Sequence, residues 1–446
     1  MLLHKRVKAA NDDSVCGLLP GKGASIFSSV ANLANTNIGI GMLAMPAALA
    51  EAGAAGGIAM LLCAMAASLT ASLLLSECVD AVGRPATLPL VTEKAWGAPL
   101  RVFSDVSVLV QCFGSATGYL IAVGDTMPAV VSTLFGGGEH MGGLFMRREL
   151  WIIVFVVCVI APLSFLRRMD SLRFASFLVI LAASIIVATV CLFAVGGSSF
   201  DAHLGCEQGM SRCRGDRSFL SEPEHVAKAL PVFVFAYAYH SNLVPVASEL
   251  DTPTRHRMLE VIGGSLLVCS TVFICLSGLG YMTFGDSVDS DLLLSYPETK
   301  AVILARFALV YVVALSYPVL SYPVPYNVDS LVAALTCAPA DATANAAAEA
   351  STHSHTLFIT NMRHRGYVAL WLLATTSTAM RVTDLGLLIS LAGAVASSGI
   401  VFLIPGICYL RLLPGASRCL RVLAGMMVGF GTGLLPGLVY VVLDGY

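Results

Sequence analysis

The run Asn35-Thr36-Asn37-Ile38-Gly39-Ile40-Gly41 places three polar side chains and two glycines inside an otherwise apolar stretch that continues through Met42-Leu43-Ala44-Met45-Pro46. In lipid no water compensates a backbone group freed by unwinding, so a broken helix persists there only where it lines a cavity or is buried in protein. The restarting half presents unpaired N–H groups and a positive dipole end. Gly39 and Gly41 let an anion approach that main chain closely, while carbonyls exposed on the other half-helix suit an ammonium group or Na⁺. Together the two ends describe an α-amino acid. Close helix packing competes as an account of the glycines alone; the neighbouring Asn35, Thr36, Asn37 and Pro46 favour a site.

A second stretch repeats this logic. Leu230 to Pro245 runs from apolar to polar, with Phe235, Tyr237, Tyr239, His240, Ser241 and Asn242 between prolines at 231 and 245. His240 falls mid-span, where an ionisable residue is a functional candidate by default. It either carries a proton, since imidazole titrates near neutral pH, or holds the bend by bonding a backbone carbonyl. Ser316, in Leu315-Ser316-Tyr317-Pro318, bonds its own helix or, paired with Asn35 across the bundle, offers oxygen to a hard cation. Asp125 and Arg306 read as structural anchors near outer helix ends.

These residues need membrane-spanning helices to position them. The chain has 446 residues, is 57% hydrophobic and only 12% charged, with a mean hydropathy of +0.81, a balance foreign to soluble domains. Eleven stretches are apolar enough to cross as helices: Ile26–Ala50, Ala55–Ser76, Val102–Phe135, Leu150–Leu166, Ser171–Val195, Val226–Leu250, Val261–Phe284, Ala301–Val324, Tyr367–Met380, Leu385–Leu410 and Val422–Leu443. The two broken helices open the first and sixth of these. That spacing predicts two five-helix inverted repeats, about residues 26–195 and 226–410, with an extra helix at 422–443 and the substrate between the repeats.

Most of the 26 Lys and Arg residues fall on one side if the N-terminus is cytosolic, including Lys5, Arg84, Arg101, Arg167, Arg255, Arg363 and Arg418. The inner face carries such an excess. A cytosolic tail at residues 1–24, a transporter domain at 25–443 and a C-terminus on the outer or lumenal face follow. Leu88 to Gly97 reads as an interfacial helix or an ordered connector. The alanine-rich loop from Thr336 to Thr356, with His353 and His355, reads as a solvated excursion.

The near-zero net charge of −2 is sorted by side, and nothing supports nucleic-acid binding. Most cysteines lie in apolar spans as small hydrophobes. Cys206 and Cys213 sit in a polar outer loop, where a disulfide forms in an oxidising compartment. No ligand spacing suggests a metal or other cofactor. No His-Glu-x-x-His, Gly-x-Ser-x-Gly or intramembrane aspartate pair points to an enzyme.

Taken together, Asn35 to Pro46, Cys112-Phe113-Gly114 with Tyr119 to Pro128, Leu230 to Leu250, and Leu388 to Tyr409 with Ile404-Pro405-Gly406 resemble the amino acid/auxin permease family. The nearest branches are the sodium-coupled neutral amino acid transporters and the vacuolar amino acid transporters. The resemblance implies an all-α, LeuT-like fold of eleven helices and alternating access without covalent chemistry. It places Asn35 and Ser316 at sodium-site positions, and Thr36, Asn37, Gly39, Ile40 and Gly41 against the substrate. Phe235, Tyr237 and Tyr239 form the facing part of span six, and His240 matches a histidine that often follows it. Relatives often carry Gly-Ser-Gly or Gly-Thr-Gly where this chain has Gly39-Ile40-Gly41, which alters the expected side-chain preference. The expectation is a symporter of neutral L-amino acids coupled to Na⁺ or H⁺ in the plasma or vacuolar/lysosomal membrane. A proton-coupled vacuolar exporter and an amino acid sensor are the alternatives; a sensor would call for a longer N-terminal tail than Met1 to Lys22.

Overall fold

Ser25 opens the first helix because its hydroxyl accepts the Ser28 N–H at 3.2 Å, satisfying a donor that no helical carbonyl can reach. The computed structural model describes residues 24–134, 144–165, 172–196, 215–321, 323–335 and 354–444. The expected Cys206–Cys213 bridge, the His353 loop and the tail before residue 24 lie outside the described residues.

The first span comprises α1 (Ile26–Asn37) and α2 (Gly41–Ala52), bent by 56° at the expected break. Next come α3 (Ala54–Val82), the short α4 (Leu88–Trp96) and the long α5 (Ala98–Leu134). A π turn at Val156–Ile160 joins α6 (Arg148–Phe155) to α7 (Ala161–Ser164), and α8 is Leu172–Val195. The sixth span is α9 (Pro223–Ala236) and α10 (His240–Glu249), interrupted at residues 237–239. Then follow α11 (Arg255–Phe284), α12 (Lys300–Ser321), α13 (Pro323–Leu335) and α14 (Ser354–Ala379). Two π turns, Gly393–Ser397 and Gly399–Leu403, sit between α15 (Leu385–Ala392) and α16 (Ile404–Leu412), and α17 is Arg418–Asp444.

Among the described residues eight helices are long and apolar enough to cross a bilayer, nine counting the α1–α2 pair. The fourth and ninth expected stretches are helical, as α6–α7 and α14, but fall outside that set. Among the described residues the only β pairing is an isolated bridge between Ala24 and Leu250.

The broken helices occupy the centre. α2 packs against α9 and α11, while α12 packs against α5 and α8. Leucines and isoleucines such as Ile58, Leu62, Leu370 and Leu373 are exposed on the outside of the bundle, as a lipid-facing surface demands. The face on which α1 begins is termed inner, the opposite one outer. At the inner face Ala24 N donates to the Glu249 carbonyl at 2.9 Å and Asp251 N donates to the Ala24 carbonyl at 3.0 Å. Main-chain bonds thus pin the start of α1 to the end of α10. At the outer face Glu51 of α2 meets His225 of α9 at 2.5 Å, and residues 215–222 are stitched by backbone bonds to Ala54, Ala55 and Asp286.

Arg101, one of the basic residues counted toward the inner face, is buried rather than solvated. It is 1% exposed, donating to Glu93 at 3.1 Å and through two nitrogens to Ser330, whose hydroxyl donates to buried Asp105 at 2.6 Å. The amphipathic α4 is thereby tied to α5 and α13. Thr87 caps it, and Arg411 covers the ring of its exposed Trp96.

Candidate substrate and ion site

The first break is built from the backbone. Ile38 N bonds Ala34 O, Gly39 N bonds Asn37 O, and α2 restarts with Met42 N on Gly39 O and Leu43 N on Ile40 O. Between them, the N–H groups of Ile40 and Gly41 have no acceptor among the described residues. Both residues are buried, so these two amides form an anion-seeking pair at a helix N-terminus away from water. Tyr119 of α5 lies against Gly39, next to them in the chain. A Cβ built on Gly39 would fall 2.3 Å from its hydroxyl oxygen, so only glycine lets that hydroxyl approach.

A polar row leads away from this point. The Tyr119 hydroxyl neighbours Ser316. Ser316 Oγ donates to Asn35 Oδ1 at 3.1 Å, and Asn35 Nδ2 donates to Ser176 Oγ of α8 at 3.2 Å. Asn35, Ser316 and Ser176 are all buried. The structure therefore brings Asn35 and Ser316 side by side from opposite repeats and adds Ser176. Their oxygens are of the kind a hard cation takes, and the row carries no formal charge.

The second break is built from side chains. Ser68 of α3 donates to the Tyr237 carbonyl at 2.9 Å, and Gln111 of α5 reaches the Ala238 carbonyl at 3.4 Å. Ser397, in the first π turn of span ten, donates to Gln111 Oε1 at 2.7 Å. Tyr237 shares a 2.8 Å hydrogen bond with Ser270, and Ser72 donates to the Tyr239 hydroxyl at 2.8 Å. His240 Nε2 donates to the Ser68 carbonyl at 3.2 Å while its buried Nδ1 has no partner.

Residues 22–435 match the family described as transmembrane amino acid transporter protein. The chain belongs to that family. This transporter is 29% identical over 388 residues to vacuolar amino acid transporter 5 of Schizosaccharomyces pombe, spanning 86% of this chain and 84% of the relative. Sodium-coupled neutral amino acid transporter 7 of Danio rerio is 25% identical over 393 residues, 87% of this chain and 79% of the relative. The structure of MhsT in complex with L-phenylalanine superposes with a TM-score of 0.52 at 14% identity, over 94% of this chain and 100% of that one. The likeness shows a shared LeuT-type fold, in keeping with the two broken helices at the centre of the bundle. The family consists of transporters rather than enzymes.

Within the transporter, the residues expected to contact substrate separate into groups. Gly39 faces the Tyr119 hydroxyl, and the Ile40 and Gly41 amides follow it in the chain. The Ile40 side chain instead points toward Gly118 of α5 and Leu385 of α15. Gly41 turns its hydrogen to Phe235 and Ala236, where a Cβ would lie 3.4 Å from the Phe235 ring. Thr36 accepts from Asn242 of α10 at 3.0 Å and donates to Asn32 O; Asn37 is buried with Nδ2 unpartnered. Tyr237 and Tyr239 commit their hydroxyls to α11 and α3, which makes them supports of the second break. Sequence reading singled out none of Ser68, Ser72, Gln111, Ser176 or Ser397, because an isolated serine or glutamine in a span carries no positional signal. Tyr119 figures there only as part of a longer motif.

Proposed function

We propose that this chain is a secondary active transporter of neutral L-amino acids, working by alternating access in a vacuolar or lysosomal membrane. The observation that carries the reading is the pair of buried amides at Ile40 and Gly41 without an acceptor among the described residues, with the Tyr119 hydroxyl against the neighbouring Gly39. A carboxylate placed there accepts three hydrogen bonds and sits at the positive end of α2. The lining residues named above bear no charge, which favours a neutral substrate side chain.

The same row supports coupling. A cation among Asn35, Ser316 and Ser176 finds oxygen ligands but no protein carboxylate, so the substrate's own carboxylate supplies the compensating charge through Tyr119 and Ser316. Each ligand then strengthens the binding of the other, as symport requires. Na⁺ fits that oxygen set. A proton-driven reading is favoured by the similarity to vacuolar transporters, with His240 Nδ1 as the buried group open to a proton. The excess of Lys and Arg on the inner face supports an N-terminus in the cytosol and a C-terminus in the lumen.

Uptake of labelled neutral amino acids into proteoliposomes, under an imposed Na⁺ or pH gradient at fixed membrane potential, tests the reading. Stimulation by Na⁺ that disappears in Asn35→Ala supports the cation at that residue. Stimulation by the pH gradient alone transfers the coupling role to H⁺, and no uptake under either gradient overturns it.

A further inference from the structure

The connection from α11 to α12 forms a plug on the outer face. It holds short 3-10 turns at Gly285–Ser287 and Leu292–Leu294, and Leu292 and Leu293 are wholly buried in it. The second turn packs against α2, α5 and α12. Leu292 shares the Gly280 face of α11 with Pro46 of α2, and Tyr296 packs against Phe193 of α8 and Phe284. The plug therefore touches elements of both repeats just above the first break.

Asp291 caps that turn and is 2% exposed. Its Oδ1 accepts the Leu293 N–H at 3.0 Å, while its Oδ2 is buried with no partner among the described residues. A bare carboxylate oxygen out of water is costly when ionised and ordinary when protonated. The surrounding charges do not neutralise it. Asp289 of the plug accepts the Asp291 N–H. Asp125 of α5 is a second facing carboxylate and is paired with Arg148 of α6 at 3.1 Å. Arg306 of α12 spends one nitrogen on the Leu293 and Tyr296 carbonyls, and its other terminal nitrogen lies 4.0 Å from Glu298. Of the remaining charged residues of the packed elements, Glu51 of α2 is held by His225, Lys300 at the start of α12 is exposed, and Arg101 and Asp105 of α5 are engaged with Ser330 near the opposite, inner end of that helix.

We propose that Asp291 is a proton-binding residue that gates the outer face: the plug seats with Asp291 protonated and lifts as that proton is released to the outer compartment. Burial, reinforced by Asp125 and Asp289 and opposed by the Leu293 N–H and Arg306, pushes its carboxyl up to about 7. Because the seated form holds the proton more tightly than a solvated aspartate, seating is favoured in acid. It weakens as pH rises through the seated value. From about 7 seated and about 3.9 released, the seating equilibrium falls roughly 20-fold between about pH 5.5 and about pH 7.5. This proton gates and does not cross, which separates it from the coupling ion. The inference rests on alternating access for the plug's movement but not on the substrate assigned above.

The test uses the full chain carrying Leu292→Cys in vesicles, labelled from the outer side by a membrane-impermeant maleimide. Labelling by the parent chain is subtracted, and rates are normalised to the same thiol in unfolded protein. No substrate is needed, so a wrong substrate assignment leaves the readout intact. With Asp291 in place, normalised labelling is expected to rise roughly 20-fold from about pH 5.5 to about pH 7.5. In Asp291→Asn, which keeps the capping oxygen, it is expected to stay flat. Asp289→Asn, which removes one facing charge from an exposed position, is expected to move the midpoint to lower pH. An equal pH response in Asp291→Asn, or an unmoved midpoint in Asp289→Asn, overturns the assignment.

Discussion

The two broken helices solve the same physical problem in opposite ways. At the first break, glycines bring other groups close to the backbone and the Ile40 and Gly41 amides have no acceptor among the described residues. At the second, Ser68 and Gln111 take up the Tyr237 and Ala238 carbonyls, and Ser72 and Ser270 hold the two tyrosines. At the second break the carbonyls are taken up by side chains, although the His240 and Ser241 N–H groups, like those of Ile40 and Gly41, have no acceptor among the described residues. A buried donor without a partner costs about 1–3 kcal/mol, so the first break is tolerable chiefly as a place where a ligand restores the missing bonds. The side chains that hold the carbonyls of the second break act as a frame.

Substitutions on the two sides are therefore expected to fail differently. Gly39→Ala, whose Cβ would meet the Tyr119 hydroxyl at 2.3 Å, is expected to abolish uptake while the protein still reaches the membrane, checked by transport beside surface labelling. Gly41→Val would instead push on Phe235 and Ala236 of α9. Tyr119→Phe removes one bond to a charged group, worth about 1.5–3 kcal/mol, and should raise the KM roughly 10- to 100-fold. Asn35→Ala is expected to leave gradient-free exchange measurable but to flatten its dependence on the driving ion, read from an ion titration. Ser68→Ala should produce the smallest change in transport, a KM close to the parent's, together with a stability loss of about 1 kcal/mol in thermal unfolding. A Ser68→Ala protein with a KM as damaged as that of Tyr119→Phe would erase the distinction between the breaks.

Both breaks were legible in the sequence because lipid makes glycine, proline and polar residues conspicuous inside an apolar run. The bend at residues 38–40 and the interruption at 237–239 fall where those residues predict. The meeting of Asn35 with Ser316 was posed by the sequence and needed three dimensions to answer. The π turns in spans four and ten were not legible, since Val156–Ile160 and Gly393–Ser397 carry no composition that separates them from ordinary helix. Nor was the direction in which Tyr237 and Tyr239 point. Their spacing names a face, but the hydroxyl goes where Ser270 and Ser72 happen to lie, on helices distant in sequence. The partners of Arg101 were not legible for a related reason: its position among the inner-side charges does not reveal that Glu93, Ser330 and Asp105 converge around it.

The inner seam has a consequence for how this protein tolerates drift. Ala24 and the end of α10 are joined by N–H groups and carbonyls that every residue type except proline supplies in full. Amino-acid exchange at residues 24, 249 and 251 leaves those bonds available, so the closure at this face is heritable without being spelled in side chains. The outer plug depends instead on one carboxyl group, and a single base change can retune it. Divergence among such proteins should accordingly accumulate as changes in outer-face pH response while the inner closure stays constant.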